Sequence, residues 1–502
     1  MVKLKARIID VEAGLNVAVL NEKYAEQIDF DVADRAKLSL GRKSLVAIID
    51  HSKTLVKPGE IGLFAEVSRA LAARNGAIVE TDLAPRPASL DYIHKKLDGG
   101  TLAENEIKAV IDDLMAEQLS SAESAAFIAG VYTNGLNTDE TVFLTKAILA
   151  TGGALKPKKR KPVVSEHSIG GVAGDRTSML VVPIIASLGL AIPKTATRAI
   201  SSACGSADAM EIFAPVELSI KEAERVVNNT GGCLIWGGAV NIAAADDKLI
   251  KIRNPLRLDP KPLLLASILA KKKAEGARFV VLDIPVGRGA KIPNVEEARE
   301  LAKDFEALGK HLDMEVACVI TDGSEPAMNC VGPALEAKRV LEILEGKASA
   351  PLVEKACVVS GVLLSTVKGV TRQEGYKMAK QQLESGKALE KFREIVAAQG
   401  GNPRVRPGDI RFAHHSQKVL AAESGVVSHV DNKVLSRVAR VLGAPSDKEA
   451  GIALEVAKNS RVAAKRHVAT LYSDSEEKIG FALDQLKKTP LIEIEKLVFD
   501  VV

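Results

Sequence analysis

Short runs rich in Val and Ile dominate the first part of the chain. Residues 6–11 and 44–49 are two such runs, and Gly and Asp residues separate them from their neighbours. Runs of this length between turn-forming residues are typical of β-strands. A Pro-Arg-Pro sequence at 85–87 then interrupts the pattern. The pattern predicts a small, mostly β N-terminal domain over residues 1–84.

Helix-start signals follow the prolines. Each consists of a capping residue and a carboxylate three positions later, a pair that satisfies free N–H groups at a helix N-terminus. The pairs are Thr101 with Glu104, Ser120 with Glu123, and Asn137 with Glu140. Apolar residues then recur at helical spacing between Ile107 and Leu114. These signals predict a helical domain over residues 89–153.

The pattern changes again from Val163, where strand-like runs, Gly-rich turns and helical periods alternate. Residues 279–284 form a run that is apolar except for Asp283. Such alternation is typical of α/β proteins. The fold class predicted is therefore α/β, with the main α/β domain formed by residues 160–238 and 275–400.

Polar breaks bound this α/β segment. The basic stretch at 156–162 fits a nucleic-acid or nuclear-import patch or, because its charge is local and prolines bracket it, a solvated hinge, which we favour. A Gln-Gly-Gly-Asn-Pro sequence at 399–403 forms the other break. Short apolar runs beyond it predict a strand-rich C-terminal domain over residues 405–502.

Composition argues against a nucleic-acid partner. The 502 residues include 68 basic and 64 acidic side chains, a net charge of only +4, and 3% aromatic residues. Nucleic-acid binders need a stronger positive field, and single-strand binders also need aromatic faces for base stacking. We therefore expect no nucleic-acid partner.

The apolar runs and the N-terminus bear on localisation. The longest apolar run, 179–193, contains Pro183 and is shorter than the roughly 20 residues that a membrane helix needs. The N-terminus alternates charged and apolar residues, unlike a secretory signal. We expect no membrane span and a cytoplasmic location.

The cysteines and histidines give no metal-site pattern. The five cysteines are an odd number without a Cys-x-x-Cys pair, and no His pair has helical i, i+4 spacing beside a carboxylate. We expect reduced thiols and no structural metal.

The segment 167–177 has the composition of an anion-binding loop. It places three glycines, His167, Ser168 and Thr177 in a strand-to-helix turn, where backbone N–H groups can face an anion. It does not match a P-loop, because Ile169 replaces the first glycine of that motif and Asp175 its lysine. The composition alone also fits a structural glycine turn.

A second cluster, 195–208, surrounds Arg198 with hydroxyl groups. Arginine among Ser and Thr side chains is typical of a charge-assisted phosphate site. A polar surface loop has the same composition.

A third candidate is Asp259, followed by Pro260. This pair is typical of a helix start, with Asp259 as the cap. A role as general acid is the alternative, and it requires a protonated carboxyl group. Ser267 and Lys271 lie four positions apart on the same face of the following helix.

In this order and spacing, the three clusters resemble the thymidine phosphorylase/AMP phosphorylase family. The motifs at 236–241, 245–247 and 332–336 extend the resemblance over essentially the whole chain. The segment before residue 89 and the sequence Arg198-Ala199-Ile200 are similar to the longer, archaeal-type branch. The resemblance implies a nucleoside-phosphorylase-like helical domain, joined by about 240–273, beside the α/β domain.

The resemblance also implies a reaction. Inorganic phosphate, as co-substrate, would displace the base of AMP, and of CMP or UMP, to give ribose 1,5-bisphosphate without a cofactor or metal. Asp259 would protonate the base, and Ser168 and Thr177 would bind the attacking phosphate. The residues implied to hold the nucleotide are Gly171, Thr197, Arg198, Ala199, Ile200, Ser201, Ser202, Ser206, Ser267 and Lys291. A homodimer or larger homo-oligomer is implied as well.

The sequence departs from the family pattern at several positions. Glu166 stands where thymidine-cleaving members have lysine, and Lys465-Arg466 replaces a Gly turn. Ser206 replaces a threonine but keeps its hydroxyl. The alternatives are a thymidine-type nucleoside phosphorylase and a nucleotide-binding homologue without catalytic activity.

Overall fold

The fold is taken from a computed structural model that describes residues 1–158, 161–199, 202–348 and 351–495. The chain divides into two compact units. The first contains Met1–Thr151 and Ala243–Ser267, and the second contains Gly152–Ile242 and Ile268–Val502.

The strands are β1 (Val2–Ile8), β2 (Val17–Asn21), β3 (Arg35–Leu40), β4 (Lys43–Ser52), β5 (Glu60–Leu63), β6 (Ile78–Leu83), β7 (Val164–Ser168), β8 (Ile192–Ala196), β9 (Gly232–Trp236), β10 (Phe279–Val286), β11 (Glu315–Asp322), β12 (Cys330–Val331), β13 (His415–Leu420), β14 (Gly425–Val430), β15 (Gly451–Leu454), β16 (Arg461–Val462), β17 (His467–Ser473) and β18 (Ile492–Glu495).

The helices are α1 (Glu22–Gln27), α2 (Ala65–Leu71), α3 (Ser89–Leu97), α4 (Glu104–Met115), α5 (Ser121–Asn134), α6 (Thr138–Ala150), α7 (Thr177–Ser187), α8 (Ser206–Met210), α9 (Ile220–Thr230), α10 (Ala244–Leu256), α11 (Lys261–Ala274), α12 (Val295–His311), α13 (Pro333–Leu344), α14 (Pro351–Lys368), α15 (Arg372–Glu384), α16 (Lys387–Ala398), α17 (Asn432–Leu442) and α18 (Glu476–Lys488), with a 3₁₀ turn at Pro407–Asp409.

The first unit begins with a closed barrel in the strand order β1-β5-β2-β4-β3-β6. Alternate side chains of its strands face the interior, as in β3, where Ala36 and Leu38 are buried and Lys37 is exposed. Closure leaves no unpaired strand edge in the barrel. Helices α3 to α6 follow the barrel in sequence, and α10 packs against α4 and α5.

Two of the predicted helix caps are confirmed. The Ser120 hydroxyl accepts the N–H of Glu123 at 3.2 Å, and the Asn137 side chain accepts the N–H of Glu140 at 2.9 Å. In both pairs the glutamate accepts the backbone N–H of the cap residue in return. Each pair therefore satisfies two N–H groups at the start of its helix.

The cap predicted at Thr101 is wrong. The N–H of Ala103, not that of Thr101, donates to the side chain of Glu106 at 2.8 Å at the start of α4. Leu102 is buried, and its N–H donates to Glu140 at 2.8 Å. Burial of this leucine holds the chain extended past Thr101, so the helix begins later.

The second unit contains a parallel sheet in the order β11-β10-β7, and β8 and β9 form a parallel pair. A parallel bridge between Val163 and Ala191 connects β7 to β8. Strand β10 is buried along most of its length, including Asp283. The strand order reverses at β7, because β8 follows on one side and β10 on the other.

The C-terminal part of this unit is built from antiparallel sheets. The strand orders are β12-β15-β17-β13 and β16-β14-β18. Helix α17 contributes Val434, Leu435 and Val438 to their shared core. The α/β fold class, with a β-rich N-terminal region, a helical domain and a strand-rich C-terminal domain, is confirmed.

The turn at Lys465-Arg466 keeps a glycine-like backbone without a glycine. Lys465 has φ of +64°, in the left-handed region that glycine prefers. The N–H of Arg466 donates to the carbonyl of Ala463 at 3.0 Å, which closes the turn. The substitution therefore preserves the shape of the turn and places a lysine in an unfavourable conformation.

Within the described ranges, no helix combines the length and the apolar character needed to cross a bilayer.

Candidate active site

The segment 167–177 contains the Gly-rich loop, which leaves the parallel sheet at the carboxyl end of β7. In doubly wound sheets, ligands bind at the carboxyl ends of the strands where the strand order reverses. Ser168, the last residue of β7, pairs in register with Asp283 of β10. The loop at 287–291 leaves β10 at the same edge. These two loops define a candidate anion site in the second unit.

Gly171 and Lys291 are neighbours in these loops. Gly171 has φ of +95°, and a Cβ atom there would lie 3.1 Å from the backbone nitrogen of Lys291. Only glycine combines this conformation with such a close approach. The structure thus places these two predicted nucleotide-binding residues side by side.

The hydroxyl groups predicted to bind phosphate both donate to buried carboxylates. Ser168 Oγ lies 2.6 Å from Asp283 Oδ2, and Thr177 Oγ1 lies 2.6 Å from Asp175 Oδ1. A hydroxyl group has a single proton to donate. Each hydroxyl must therefore rotate away from its carboxylate before it can donate to phosphate.

Lys355 of α14 connects the two carboxylates. Its Nζ lies 2.9 Å from Asp175 Oδ2 and 2.6 Å from Asp283 Oδ2. Burial opposes the charge of Lys355, but the two carboxylates raise its pKa above the ordinary value. Burial likewise disfavours charge on Asp175, yet Lys355 holds the pKa of Asp175 well below its usual range.

Lys355 was missed by the sequence reasoning. One signal was available, because Lys355 lies at helical spacing from Leu352 and Val359, both buried. A lysine on the buried face of an apolar helix requires an internal anionic partner.

Arg176 connects the Gly-rich loop to two other segments. Its guanidinium group pairs with Glu336 of α13, donates to Ser206 Oγ at 3.1 Å and donates to the Cys204 carbonyl at 2.5 Å. Arg176 and Glu336 are both buried. Burial opposes the charge of Arg176, but Glu336 raises its pKa above the ordinary value. The sequence reasoning gave Arg176 no role, although it lies inside the Gly-rich motif.

Among the described residues, the partners of the Arg198 guanidinium group are carboxylates. Its guanidinium group lies 2.8 Å from Glu211 and Glu217 and 3.3 Å from Asp208. It also lies over the ring of Trp236 at 4.9 Å. The expected convergence of Arg198 with the Ser206 hydroxyl is therefore corrected, since Arg176 binds that hydroxyl. The carboxylates of these three residues balance the charge of Arg198 and hold its guanidinium group in place.

Asp208 binds two backbone N–H groups of the same cluster. Its Oδ2 accepts the N–H groups of Ala199 at 2.8 Å and Gly205 at 2.7 Å. The Ser202 hydroxyl donates to the Cys204 carbonyl at 2.6 Å, and Thr197 is exposed. The predicted residues Ile200 and Ser201 lie outside the described residues.

Glu166, which departs from the family pattern, forms an ion pair with an internal lysine. Glu166 is fully buried, and its carboxylate lies 2.9 Å from Lys194 Nζ. Next to it, burial lowers the pKa of His167 well below the ordinary value, and Lys272 and Lys194 lower it further. Burial and the two lysines thus favour the neutral imidazole of His167, and Glu166 forms an ion pair inside the core.

Asp259 and Ser267 belong to the first unit. Asp259, whose side chain is 45% exposed, pairs with Arg253. The Ser267 hydroxyl donates to the buried Asp246 Oδ2 at 2.7 Å. Helix α11 begins at Lys261, one residue later than the predicted start at Pro260. The other predicted site residues that the structure describes all belong to the second unit.

Among the described residues, no group of three or more His, Cys, Asp or Glu side chains could hold a metal ion.

Family models match three parts of the chain. The Glycosyl transferase family, a/b domain, matches residues 160–389, and the helical bundle domain of the same family matches residues 90–152. The Pyrimidine nucleoside phosphorylase C-terminal domain matches residues 426–493. Together with the sheet and the loops at its carboxyl edge, these matches define the class of the chain as a glycosyltransferase.

Curated relatives match along the full length. The chain is 42% identical to the AMP phosphorylase of Thermococcus sibiricus and 40% identical to that of Methanococcus aeolicus, over 99% of this chain and 98% of each relative. It is 42% identical to the AMP phosphorylase of Methanococcoides burtonii over the same shares. The chain belongs to the AMP phosphorylase family.

Solved structures with the same fold include two anthranilate phosphoribosyltransferases. The enzyme from Thermus thermophilus superposes with a TM-score of 0.52 at 20% identity and covers 62% of this chain and 100% of its own. The enzyme from Saccharomyces cerevisiae gives a TM-score of 0.52 at 15% identity and covers 63% of this chain and 99% of its own. At these identities the likeness concerns the fold alone.

Proposed function

We propose that this chain catalyses the phosphorolysis of AMP to adenine and ribose 1,5-bisphosphate, and that it also accepts CMP and UMP. The observation that carries the proposal is the match of 99% of the chain to proteins named AMP phosphorylase. In the reaction, a phosphate oxygen forms a bond to C1′ of the ribose. The bond from C1′ to the base breaks, and its electron pair leaves with the base.

The chemistry assigns a role to each candidate residue. A departing base is a poor leaving group until it is protonated, and Asp259 is the proton donor of the proposal. The attacking phosphate lies at the Gly-rich loop, with Ser168 and Thr177 as hydroxyl donors. The nucleotide is held by Gly171, Lys291, Ser206, Ser267 and residues 197–202.

Arg198 is the charge-assisted donor proposed for the 5′-phosphate. Of its three carboxylate partners, Glu217 is the most exposed, at 58% of its side chain, against 20% for Glu211 and 5% for Asp208. A phosphate dianion makes stronger hydrogen bonds to guanidinium than a solvated carboxylate does. We therefore expect the 5′-phosphate to replace Glu217 beside Arg198.

The experiment is an assay of adenine release from AMP with and without inorganic phosphate, with sulfate as the control anion. We expect release only with phosphate, together with a product of the mass of ribose 1,5-bisphosphate. AMP binding without phosphate-dependent release would support the non-catalytic alternative.

A thymidine-type nucleoside phosphorylase is the second candidate, because the C-terminal domain matches the pyrimidine nucleoside phosphorylase model. The same assay with thymidine distinguishes the two. Thymine release at a rate similar to that of adenine from AMP would favour this candidate.

A further inference from the structure

Two buried carboxylates accept hydrogen bonds from the hydroxyl groups that are proposed to bind phosphate. The side chains of Asp175 and Asp283 are 7% and 1% exposed. Thr177 and Ser168 donate to them, and Thr321 donates to Asp283 at 2.6 Å. Two negative charges at this position would repel an incoming phosphate dianion, because charges interact strongly at a buried site.

Lys355 offsets part of this charge. Its Nζ contacts both carboxylates, at 2.9 and 2.6 Å, and its own side chain is only 10% exposed. When both carboxylates are ionised, they carry a net charge of about −2 by themselves and about −1 together with the Lys355 ammonium group. Asp175 belongs to the Gly-rich loop and Asp283 to β10, so one ammonium group connects both sides of the anion site.

Lys355 also shares an acceptor atom with Ser168. Both groups contact Asp283 Oδ2 at 2.6 Å. When the Ser168 hydroxyl turns toward phosphate, this oxygen loses one donor and keeps the ammonium group. The carboxylate therefore stays hydrogen-bonded while the serine changes partner, which avoids the cost of an unsatisfied buried acceptor.

We propose that Lys355 is a positioning residue for phosphorolysis, whose ammonium group offsets one of the two negative charges of Asp175 and Asp283 and so allows Ser168 to donate to the attacking phosphate. This inference rests on the proposed function. It identifies a residue on α14, far along the chain from the Gly-rich motif, as the group that makes the loop accept an anion.

The test compares Lys355→Met with wild type in the AMP assay. Loss of a charged hydrogen-bonding group is expected to raise the KM for phosphate about 10- to 100-fold. The KM for AMP should change less than threefold, because the ion pairs of Lys355 in the described part of the chain are with Asp175 and Asp283, and neither is a proposed nucleotide-binding residue. Lys355→Arg keeps the charge and should restore most of the phosphate affinity. Lys368→Met, an exposed lysine at the end of the same helix, is the matched control and should resemble wild type.

A charge-balanced double variant keeps the proposal testable if Lys355→Met does not fold. Asp283→Asn with Lys355→Met has the same net charge at this position as wild type. Its KM for phosphate should lie within about fivefold of wild type. Phosphate binding to each folded variant, measured by calorimetry, gives a readout that is independent of turnover.

Two outcomes would overturn the proposal. One is an unchanged phosphate KM in folded Lys355→Met, and the other is a double variant that binds phosphate more than tenfold more weakly than wild type. Failure of the proposed function is a different result, because wild type itself would then release no adenine in a phosphate-dependent manner.

Discussion

At the scale of single residues, Asp259 carries the chemical step of the proposed reaction. Its replacement by asparagine keeps the size of the side chain and removes the transferable proton. We predict that Asp259→Asn lowers kcat about 10²–10⁴-fold, the usual contribution of general acid catalysis, and changes the AMP affinity only a few-fold. Single-turnover rates and equilibrium binding of AMP measure the two effects.

The control for this variant is Asp112→Asn. Asp112 lies on α4 of the same unit, is exposed and pairs with Lys108. It should leave kcat unchanged. If Asp259→Asn kept most of the wild-type rate, the proton would come from another group.

Lys465 offers a test of local backbone conformation. A non-glycine residue in the left-handed region is strained. Glycine avoids this strain but increases the conformational entropy of the unfolded chain, which opposes folding. We predict that Lys465→Gly stabilises the protein by roughly 0.5–1 kcal/mol. Urea denaturation gives the change in the free energy of unfolding. Ala464→Gly, in the same turn but without positive φ, should destabilise, and equal effects of the two variants would argue against the strain.

At the scale of elements, Arg176 holds the Gly-rich loop to α13 and to the segment before α8. Removing one partner of a buried ion pair leaves an uncompensated charge, which typically costs 3–5 kcal/mol. We predict a loss of about 3–5 kcal/mol for Arg176→Met and a smaller loss when Glu336→Gln is added. Urea denaturation of both variants measures this. Equal losses would show that the charge on Glu336 does not matter.

The contacts of Arg198 also predict a dependence on pH. The Arg198 guanidinium lowers the pKa of Glu211 to about 2, from an ordinary value near 4.5. A carboxyl group whose pKa is lowered in the folded state stabilises the fold above its unfolded pKa, and this contribution disappears as the pH falls through the folded value. The stability difference between wild type and Arg198→Ala should therefore shrink between about pH 5 and pH 2.

Urea midpoints of both proteins across this pH range measure that difference. A Glu211→Gln background is the control, because no carboxylate titrates there at position 211. If the stability difference between wild type and Arg198→Ala stayed constant as the pH falls, with Glu211 present, the ion pair between Arg198 and Glu211 would be contradicted.

The elements of the site differ in how far the sequence predicts them. The position of the Gly-rich loop between a strand and a helix was predictable from its glycines, although the composition alone also fits a structural glycine turn. The partners of its hydroxyl groups were not. Asp283 lies in register with Ser168 only because β7 and β10 pair, and Lys355 reaches both carboxylates from a helix far along the chain. Spacing along the sequence does not report such contacts.

At the scale of the whole molecule, the order of the β, helical, α/β and strand-rich segments was predictable from periodicity and from the proline and glycine breaks. Periodicity does not show that residues 243–267 return to the unit formed by residues 1–151. Only the family resemblance implied that connection. The compensation of Glu166 by Lys194 likewise depends on the tertiary fold.

The central claim is that the substrate is a nucleotide, so that its 5′-phosphate contributes to transition-state binding. Charge-assisted hydrogen bonds contribute roughly 1.5–3 kcal/mol each, and the loss of two would cost about two to four orders of magnitude in kcat/KM. The most direct measurement compares kcat/KM for AMP, adenosine and thymidine at saturating phosphate, in wild type and in Arg198→Ala. We predict a preference for AMP of at least about 100-fold in wild type, most of which is lost in the variant. Similar kcat/KM values for thymidine and AMP in wild type would contradict the account.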